Sequence, residues 1–562
     1  MKTKKIFFPI IISIILLSNA CSDFLENTPS GSVVGTALTE DNLSQLTAPL
    51  YNAVWFGFND KFNFGLGDGY AYNLNAPYSD YIYPFSDLSV NGLTGPLVSA
   101  WSSFYNVAGR ATGVVATVNA STATQEEKNQ YIAEARFMRG VAYWYLASLW
   151  NNVIIVDDEQ ALIDNPIVPS NPKKDVYEYA IRDLEFAAKY LPETVGQSGR
   201  VTRYSAFGML SRLYLDYSGF VASNYGENPN CGTRDAGYLD LAKKAAEKVI
   251  SNGAYKLMTD YAALFMVENN NNVESLFAFQ WVPGLNSSTG YLFNGDAVIN
   301  SQQAYFAFGS IVTGDDAAWG GGGTGCPYDM IKEYEPNDVI RRKATWMGNG
   351  DHYPEINKAD GGLTYDTSTK GDDAPRWLSV KKGVTGSNKD NPAIGRQNSA
   401  LDNYILRLAE VYLNYAEAIL GNNASTTDAA ALEYFNAVRQ RAGMPAKTSI
   451  SWEDLRHERR IEFCMEGRYW YDLVARAYYR QQEVINYLNN QNRGVVTPYL
   501  FDAPNDLRVD PARNPGTRAV GQATSATFRL PYPESELLQN PKLSGDPVPF
   551  EFTEDRITDL FN

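Results

Sequence analysis

The sequence predicts a mainly α-helical protein, in which tetratricopeptide-like helix pairs form a scaffold with large irregular loop insertions, all within a single compact domain. Two blocks of the 562-residue chain, about residues 101–260 and 400–485, place apolar residues at steps of three and four, the spacing of an amphipathic helix. Short turns join these helices, so each pair can bury its apolar face against the next. The chain has no clean period of about 34 residues, so the likeness is to the architecture and not to a strict repeat.

The first block is expected to form a series of helices. Residues 125–150 carry one apolar stripe that includes Ile132, Met138 and Leu149. Pro192 should end the next helix and Gly253 the last one, because proline and glycine stop helices. These further helices are predicted at residues 175–191, 201–217 and 238–251.

The second block continues the same pattern. A helix is predicted over residues 403–420, which Gly421 ends, and another over residues 427–442, which Gly443 ends. Ser451, with Asp454 three residues later and an apolar run behind it, has the spacing of a capping box. We therefore expect the last long helix to start there.

The helical stripe is lost in three loop-rich insertions, about residues 51–98, 269–398 and 490–527. The first two combine Gly, Asn and Asp with many aromatic residues, and the third is polar and rich in proline. Aromatic residues make up 13% of the chain, which argues against disorder. Long irregular stretches in a compact domain are usually functional, so we expect the insertions to carry a binding site.

The chain begins with a signal-peptide pattern over residues 1–20. Lys2, Lys4 and Lys5 precede an apolar run at residues 6–17, which is shorter than the about 20 residues that span a bilayer. Small residues then lead to Cys21, as in lipoprotein signals, where this cysteine is acylated (with palmitate, for example) and begins the mature chain, residues 21–562. Acidic residues follow, as in lipoproteins sent outward. We expect an outer-membrane, lipid-anchored protein that faces the cell exterior.

Charge and cysteine content exclude several partners. The formal net charge of −16 becomes −19 when Lys2, Lys4 and Lys5 leave with the signal, which argues against a nucleic-acid partner. Cys231 and Cys326 could form a disulfide, whereas Cys464 sits in a helical pattern and is expected to be a buried apolar residue. The spacing of the cysteines is not that of metal ligands, and we expect neither a metal ion nor a cofactor.

Motifs in a fixed order run through nearly the whole chain. They are CSDFLE at 21–26, AEARFMRGVAY at 133–143, GRVTR at 199–203, ILRLAEVYL at 405–413, ERRIEF at 458–463 and LPYPESE at 530–536. In this order, and behind a lipoprotein signal, they resemble the SusD/RagB-like family of outer-membrane nutrient-binding lipoproteins, of the starch-utilisation type.

The resemblance implies a function as well as a fold. Members of this family bind oligosaccharides or other large nutrients at the cell surface and cap a SusC-like, TonB-dependent outer-membrane transporter. It implies binding and hand-over of a glycan for import, without bond cleavage. The same family includes peptide importers, so a peptide ligand is the alternative.

Charged residues within these motifs are expected to be structural. They lie in otherwise packed helices, where Arg and carboxylate side chains usually satisfy one another. Arg459 and Glu462, three residues apart, are placed to pair along one helix. The set is Arg407, Glu410, Glu417, Arg459, Glu462 and Glu466.

An enzyme is a weaker interpretation. The chain has two histidines, His352 and His457, and lacks a nucleophile elbow, a phosphate loop or a zinc-protease motif. A glycoside hydrolase needs only two carboxylates about 5–10 Å apart, so that class stays open. Adjacent acidic pairs occur at 157–158, 315–316 and 372–373.

Sugar binding fits the composition of the insertions best. A sugar ring lies with its C–H face on Trp or Tyr, while polar side chains bind its hydroxyl groups. The loop residues that combine these two properties are the predicted ligand-binding residues: Trp281, Trp319, Trp55, Tyr81, Tyr83, Asp68, Tyr291 and Trp346. A helical scaffold that binds no small ligand is a further alternative, and it requires these aromatic side chains to be packed inside the protein.

Overall fold

The computed structural model describes residues 40–76, 81–282, 300–306, 324–366, 378–394, 399–502 and 505–561, without the side chains of residues 40 and 41. This part of the chain is mainly helical, as predicted. The longer helices are α1 (Glu40–Thr47), α2 (Gly95–Ala120), α3 (Gln125–Trp150), α4 (Glu159–Asp164), α5 (Lys173–Tyr190), α6 (Arg203–Ala222), α7 (Ala236–Ile250), α8 (Val339–Thr345), α9 (Leu408–Leu420), α10 (Ala429–Arg441), α11 (Trp452–Glu462), α12 (Tyr469–Asn490) and α13 (Glu534–Gln539).

Single helical turns connect these helices and fill much of the insertions. They are Ala48–Tyr51, Ala53–Trp55, Phe56–Asn59, Phe62–Phe64, Gly65–Tyr70, Tyr83–Ser86, Ala262–Phe265, Val267–Asn269, Gln303–Phe306, Tyr328–Ile331, Lys358–Asp360, Ser525–Phe528 and Pro541–Ser544.

The strands are short and pair two by two, always antiparallel. They are β1 (Ser275–Phe279), β2 (Trp346–Met347), β3 (His352–Tyr353), β4 (Leu363–Thr364), β5 (Ser379–Val380), β6 (Asn403–Arg407), β7 (Ser425–Thr426), β8 (Ile450–Ser451), β9 (Val495–Val496), β10 (Tyr499–Asp502), β11 (Asp506–Val509) and β12 (Gly516–Thr517). The pairs are β1 with β6, β2 with β5, β3 with β4, β7 with β8, β9 with β12 and β10 with β11.

The long helices form one continuous array. Each of α2, α3, α5, α6 and α7 packs against the next of these helices, and α7 then packs against α9, which packs against α10. Helix α12 closes the array against α6. The two blocks predicted from the sequence are therefore parts of the same scaffold, and the residues between α7 and α9 are inserted into it.

Helix α3 shows why the array is stable. A capping box of Thr124 and Glu127 begins it, and from Tyr131 to Trp150 every side chain is buried among its neighbours. Gly140 lets α5 approach, because a Cβ there would lie only 3.0 Å from the Leu184 side chain. Each Å² of apolar surface that is removed from water stabilises the fold by about 25 cal/mol. Because α3 is buried throughout from Tyr131 to Trp150, it is a main source of hydrophobic stabilisation.

Two predicted helices are corrected by the structure. Residues 403–407 form strand β6, because they pair with β1, and the helix begins only at Leu408. The capping box of Ser451 and Asp454 is confirmed, but helix α11 ends at Glu462, and α12 is a separate helix. The turn between them contains Gly467 at a φ of +70°, which favours glycine.

Buried ion pairs join the insertion to the helical array. Arg407 binds Glu274 and Glu462, both at 2.7 Å, and Glu466 at 2.9 Å. The structural role expected for the charged motif residues is confirmed, since the other pairs are Arg212–Glu410, Arg234–Glu417 and Arg459–Asp472. The expected pairing of Arg459 with Glu462 is wrong.

Arg459 and Glu462 face different partners because the chain folds back after α11. Arg459 donates to Asn414 and Asp472, both at 2.8 Å, whereas Glu462 accepts from Arg407 and Arg441. Cys464 is buried, as predicted, and Cys231, Cys326 and Cys464 are free thiols. Among the helices that the structure describes, none is both long and apolar enough to cross a membrane.

Candidate functional site

The candidate site is a surface cluster of polar and aromatic side chains at the edge of the first and second insertions. We call it the Tyr81 cluster. It lies where residues 59–61, the end of β1, residues 300–305 and the start of β6 meet. Its members are Asn59, Asp60, Lys61, Tyr81, Trp281, Ser301, Gln302, Tyr305, Asp402 and Asn403.

Packed aromatic residues fix the position of the cluster. The Trp55 ring stacks on Phe279 of β1, with 4.8 Å between ring centroids. Phe58 packs against Phe104 of α2 at 4.9 Å. These buried rings hold the turn that precedes Lys61 against the end of β1, so residues 59–61 lie beside Trp281.

Lys61 lies between two tyrosine rings. Its Nζ is 5.3 Å from the ring centroid of Tyr81 and 5.0 Å from that of Tyr305, and it forms an ion pair with Asp60. The hydroxyl groups of Tyr305 and Ser301 both donate to Asp60 Oδ1, the former at 3.3 Å. The ammonium group attracts both ring faces and so orders them. The Tyr81 side chain, 55% exposed, is thereby presented at the surface.

A closed circuit of amide side chains supports this layer. Asn403 Oδ1 accepts from the indole N–H of Trp281 at 2.8 Å and from Asn59 Nδ2 at 2.9 Å. Asn403 Nδ2 donates to Gln302 Oε1 at 2.9 Å, and Gln302 Nε2 donates to the Asn59 carbonyl at 3.0 Å. Because the amides bind one another, they form a preorganised base for the exposed residues.

Asp402 is a buried carboxylate at the inner side of the cluster. Its Oδ1 accepts from the Trp281 backbone N–H at 3.2 Å. Burial raises the pKa of Asp402 to about 7, although the Trp281 N–H opposes this rise. The charge of the residue that anchors the end of β1 therefore changes near neutral pH.

Three of the predicted ligand-binding residues are in the protein interior, which corrects their assignment. Trp55, Trp346 and Asp68 are each 0% exposed. Trp55 belongs to the aromatic core described above, and Trp346 is packed among the buried residues of a second core around β2 and β5. These side chains cannot reach a surface ligand, because other side chains cover them completely.

Asp68 has a structural role instead. It accepts hydrogen bonds from the backbone N–H groups of Met465 and Gly467, at 2.9 and 2.8 Å, and so holds the turn between α11 and α12. Burial raises its pKa to about 6, against these hydrogen bonds. A Cβ on Gly67 would lie 2.2 Å from the backbone of Gly467, so this close approach requires glycine.

The remaining predicted residues are distributed in three ways. Tyr81 and Trp281 belong to the cluster, but Trp281 is only 5% exposed and contributes its indole N–H instead of a ring face. Tyr83 is half-buried beside the ion pair of Arg518 and Asp87, away from the contacts of the cluster. Tyr291 and Trp319 lie outside the described residues.

The sequence analysis missed most of the polar members of the cluster. Lys61, Gln302, Tyr305 and Asn403 belong to no local motif. The pairing of β1 with β6 places Asn403 opposite Phe279 and so beside Trp281. Asp60, by contrast, is a polar residue of an aromatic-rich loop, and this local signal does point to it.

The described residues that flank segments 283–299 and 307–323 lie in the cluster or next to it. Trp281 and Val282 precede the first, Asn300 and Ser301 follow it, and Phe306 precedes the second. Thr324, which follows the second, donates its hydroxyl to the Tyr305 carbonyl at 2.7 Å.

The arrangement suits recognition of a polar ligand with flat apolar faces. It offers an exposed tyrosine ring together with the partly exposed ammonium group of Lys61 and carboxylate of Asp60 within one patch. Such a set binds hydroxyl groups and stacks on C–H faces, which is how proteins hold sugars.

Two family models match the chain. The model described as the SusD family matches residues 227–548. The model described as "Starch-binding associating with outer membrane" matches residues 23–215. Together they span the helical array and the insertions.

Curated relatives carry related descriptions. A SusD-like protein of Bacteroides ovatus is 39% identical over 97% of this chain and 98% of its own length. The starch-binding protein SusD of Bacteroides thetaiotaomicron is 24% identical over 62% of this chain and 65% of its own length.

Solved structures share the fold. A crystal structure with a xylogluco-oligosaccharide is 38% identical, aligns with 91% of this chain and 100% of its own, and has a TM-score of 0.81. A laminarin-binding SusD-like protein aligns with 89% of this chain and 97% of its own, at 20% identity and a TM-score of 0.64. The predicted fold class and the resemblance seen in the motifs are both confirmed.

Proposed function

The chain belongs to the SusD family, and from this premise we propose that it is a cell-surface lipoprotein that binds oligo- or polysaccharide and hands it to a transporter. The observation that carries the proposal is the relative solved with a xylogluco-oligosaccharide, which shares 38% identity and aligns with 91% of this chain. A β-glucan backbone with side branches is therefore the first ligand class to test. The Tyr81 cluster supplies the stacking and hydrogen-bonding groups for it.

Membrane attachment is the second part of the proposal. Cys21 follows a lipoprotein-type signal, and one matching family model is described as associating with the outer membrane. An acyl anchor on Cys21 would hold the folded domain at the surface through the 18 residues between it and α1. The domain then serves as a cap on a SusC-like, TonB-dependent transporter that imports the glycan. We assign it no catalytic role, since the family descriptions concern binding.

The proposal is tested by binding of the chain from residue 22 to a panel of glycans and peptides. Native affinity gels that contain xyloglucan, laminarin or starch screen for retention of the protein. Calorimetry with a xylogluco-oligosaccharide should then give the affinity of the protein for this ligand. Tyr81→Ala removes the exposed ring and should weaken binding about fivefold to tenfold, the equivalent of about 1 kcal/mol for one stacking contact. Trp319→Ala tests the prediction that Trp319 supplies a second ring.

Tyr225→Ala is the matched control. Tyr225 is 40% exposed and has Lys174 Nζ 4.5 Å from its ring, so it reproduces the Tyr81 and Lys61 pair at a distance from the cluster. Its loss should leave glycan binding unchanged. If the protein bound peptides but no glycan, the ligand would be a peptide and not a sugar. If shortened sugars were released, the protein would be an enzyme.

A further inference from the structure

A deep groove lies apart from the Tyr81 cluster and shares no residue with it. Its cavity is about 840 Å³ in volume and is bounded by α2, α3, α4, α5 and the C-terminal segment around Phe550 to Glu554. We call it the acidic groove. None of the contacts proposed above for glycan binding uses it.

The charged side chains at the floor of the groove neutralise one another in ion pairs. Asp183 is 1% exposed and binds Arg136 at 2.7 Å and Arg139 at 2.8 Å. Arg136 also binds Glu554 at 2.7 Å, and Arg139 donates to Thr112 at 3.0 Å. The guanidinium groups are therefore already paired and do not recruit an anionic ligand.

The rim of the groove carries negative charge that is not neutralised. Asp157, Asp158 and Glu159 are exposed and lie side by side along the entry to α4. Asp157 accepts from the Tyr179 hydroxyl at 3.1 Å and Asp158 from the Ala161 N–H at 3.1 Å. Among the ion pairs within the described residues, none includes these three carboxylates. They attract a cationic group.

Exposed apolar side chains lie in the groove at Ile163 and on the segments beside it, which together we call the ridge. Ile163 is 66% exposed, Ile167 42%, Val548 50% and Leu538 84%. These residues lie on adjoining segments, because the Val548 N–H donates to the Ser170 carbonyl and Asn540 Nδ2 to the Val168 carbonyl, both at 2.8 Å. Exposed apolar side chains beside a charged rim are typical of a protein contact.

The charge of the groove decides which occupant fits. Residues 22–39 of this chain contain Asp23 and Glu26 and no Lys or Arg, so they do not complement the rim. A second copy would carry the same formal charge, −19 without Lys2, Lys4 and Lys5, and would be repelled. The aromatic rings of the groove are already packed, because Phe550 contacts Tyr179 and Phe552 edge-on and the Arg182 guanidinium covers the Phe552 ring at 4.0 Å. They therefore do not favour stacking of a glycan. Of these possible occupants, only a basic and partly apolar partner complements the groove.

We propose that the acidic groove is the docking site for a Lys- or Arg-bearing, partly apolar segment of a second protein. The basic side chains would meet Asp157, Asp158 and Glu159, while apolar ones cover the ridge at Ile163. The proposal does not depend on glycan binding.

Fluorescent 12-residue peptides test the docking site on the chain from residue 22. One probe alternates Lys with Leu, the second has Glu in place of Lys, and the third has Ser in place of Leu. Fluorescence anisotropy at 0.15 M salt should show binding of the Lys–Leu probe at least about tenfold tighter than that of the other two. Glu159→Lys and Ile163→Ser should each weaken that binding about fivefold, by removing one charge contact and one apolar contact.

Glu433→Lys is the control for the overall charge. Glu433 is an exposed residue of α10, so the substitution makes the same change in net charge away from the groove. Equal weakening by Glu433→Lys and Glu159→Lys would mean non-specific attraction and would overturn the proposal, as would failure of the Lys–Leu probe to bind. Circular dichroism confirms that each variant is folded.

The proposal of glycan binding and the proposal of peptide docking can be refuted independently of each other. Tyr81→Ala should leave peptide binding unchanged, and Glu159→Lys should leave glycan binding unchanged. Loss of glycan binding in Glu159→Lys would make the groove a glycan site and would contradict the docking proposal.

Discussion

At the scale of the residue, burial determines what each polar side chain of the loops does. Asp68 and Asp402 are both buried carboxylates that accept backbone N–H groups, and burial raises the pKa of each. Asp68 organises the turn after α11, whereas Asp402 anchors the β1 end beside the Tyr81 cluster. Similar residues in the sequence therefore serve different parts of the molecule.

Asp402→Asn should change how stability depends on pH. The pKa of Asp402 is about 7 in the folded chain and about 4 in the unfolded chain, so the folded state holds the proton more tightly between these values. The wild-type free energy of unfolding should then fall as pH rises from about 4 to about 7. Asn needs no proton, so the variant should gain up to about 4 kcal/mol relative to wild type at pH 8 and nothing at pH 4.

Chemical denaturation at a series of pH values measures this difference. Asp240→Asn, at an exposed residue paired with Lys244, should show no comparable trend. A constant difference between Asp402→Asn and wild type across the pH range would contradict the prediction.

At the scale of the element, local signals set where helices begin, but pairing with other parts of the chain can override them. The capping box at Ser451 is present as predicted, with the hydroxyl accepting from the Asp454 N–H. Residues 403–407, by contrast, read as the start of a helix and form strand β6 because β1 lies beside them. Propensity is a weak prior that tertiary contacts overrule.

Ser451→Ala should lower the free energy of unfolding by about 1 kcal/mol, since it leaves the first N–H groups of α11 without their cap. Hydrogen exchange at residues 453–456 should also become faster. Ser449→Ala, at an exposed serine two residues earlier, is the control and should have little effect. Equal loss of stability in both variants would mean that the cap has no special role.

At the scale of the whole molecule, buried charges bind the insertion to the helical array. Glu462 of α11 accepts from Arg407 of β6, from Arg441 of α10 and, at 3.3 Å, from Arg341 of α8. Although burial alone would raise the pKa of Glu462, Arg441, Arg407 and Arg341 lower it to about 2. One carboxylate therefore ties four elements together.

Glu462→Gln should lower the free energy of unfolding by about 3–5 kcal/mol at pH 7, because three buried guanidinium groups lose a charged partner. In the wild type this contribution is complete above a pH of about 4 and is lost as pH falls through about 2. The gap between variant and wild type should therefore close in acid, as followed by denaturant titration.

Glu453→Gln is the matched control, because Glu453 forms an exposed ion pair with Arg456 at 2.9 Å. It should change stability by less than about 1 kcal/mol. A similar small change for Glu462→Gln would show that the buried network contributes little.

The sequence by itself determined the helical architecture, the approximate bounds of six scaffold helices and the family. Apolar residues at helical spacing leave few ways to bury them, as in α3, whose predicted and observed bounds are the same. Ordered motifs such as those at residues 133–143 and 458–463 build the shared scaffold, so they identify the family directly.

Only the tertiary structure decided which loop side chains reach the surface. Trp55 and Tyr81 look alike in the sequence, as aromatic residues of one insertion, yet the first is 0% exposed and the second 55%. Lys61 contacts Tyr81 in the cluster, and Gln302 and Asn403 join the cluster from distant parts of the chain. Exposure and contact depend on residues far away in sequence, and loops carry no periodic pattern from which these contacts could be inferred.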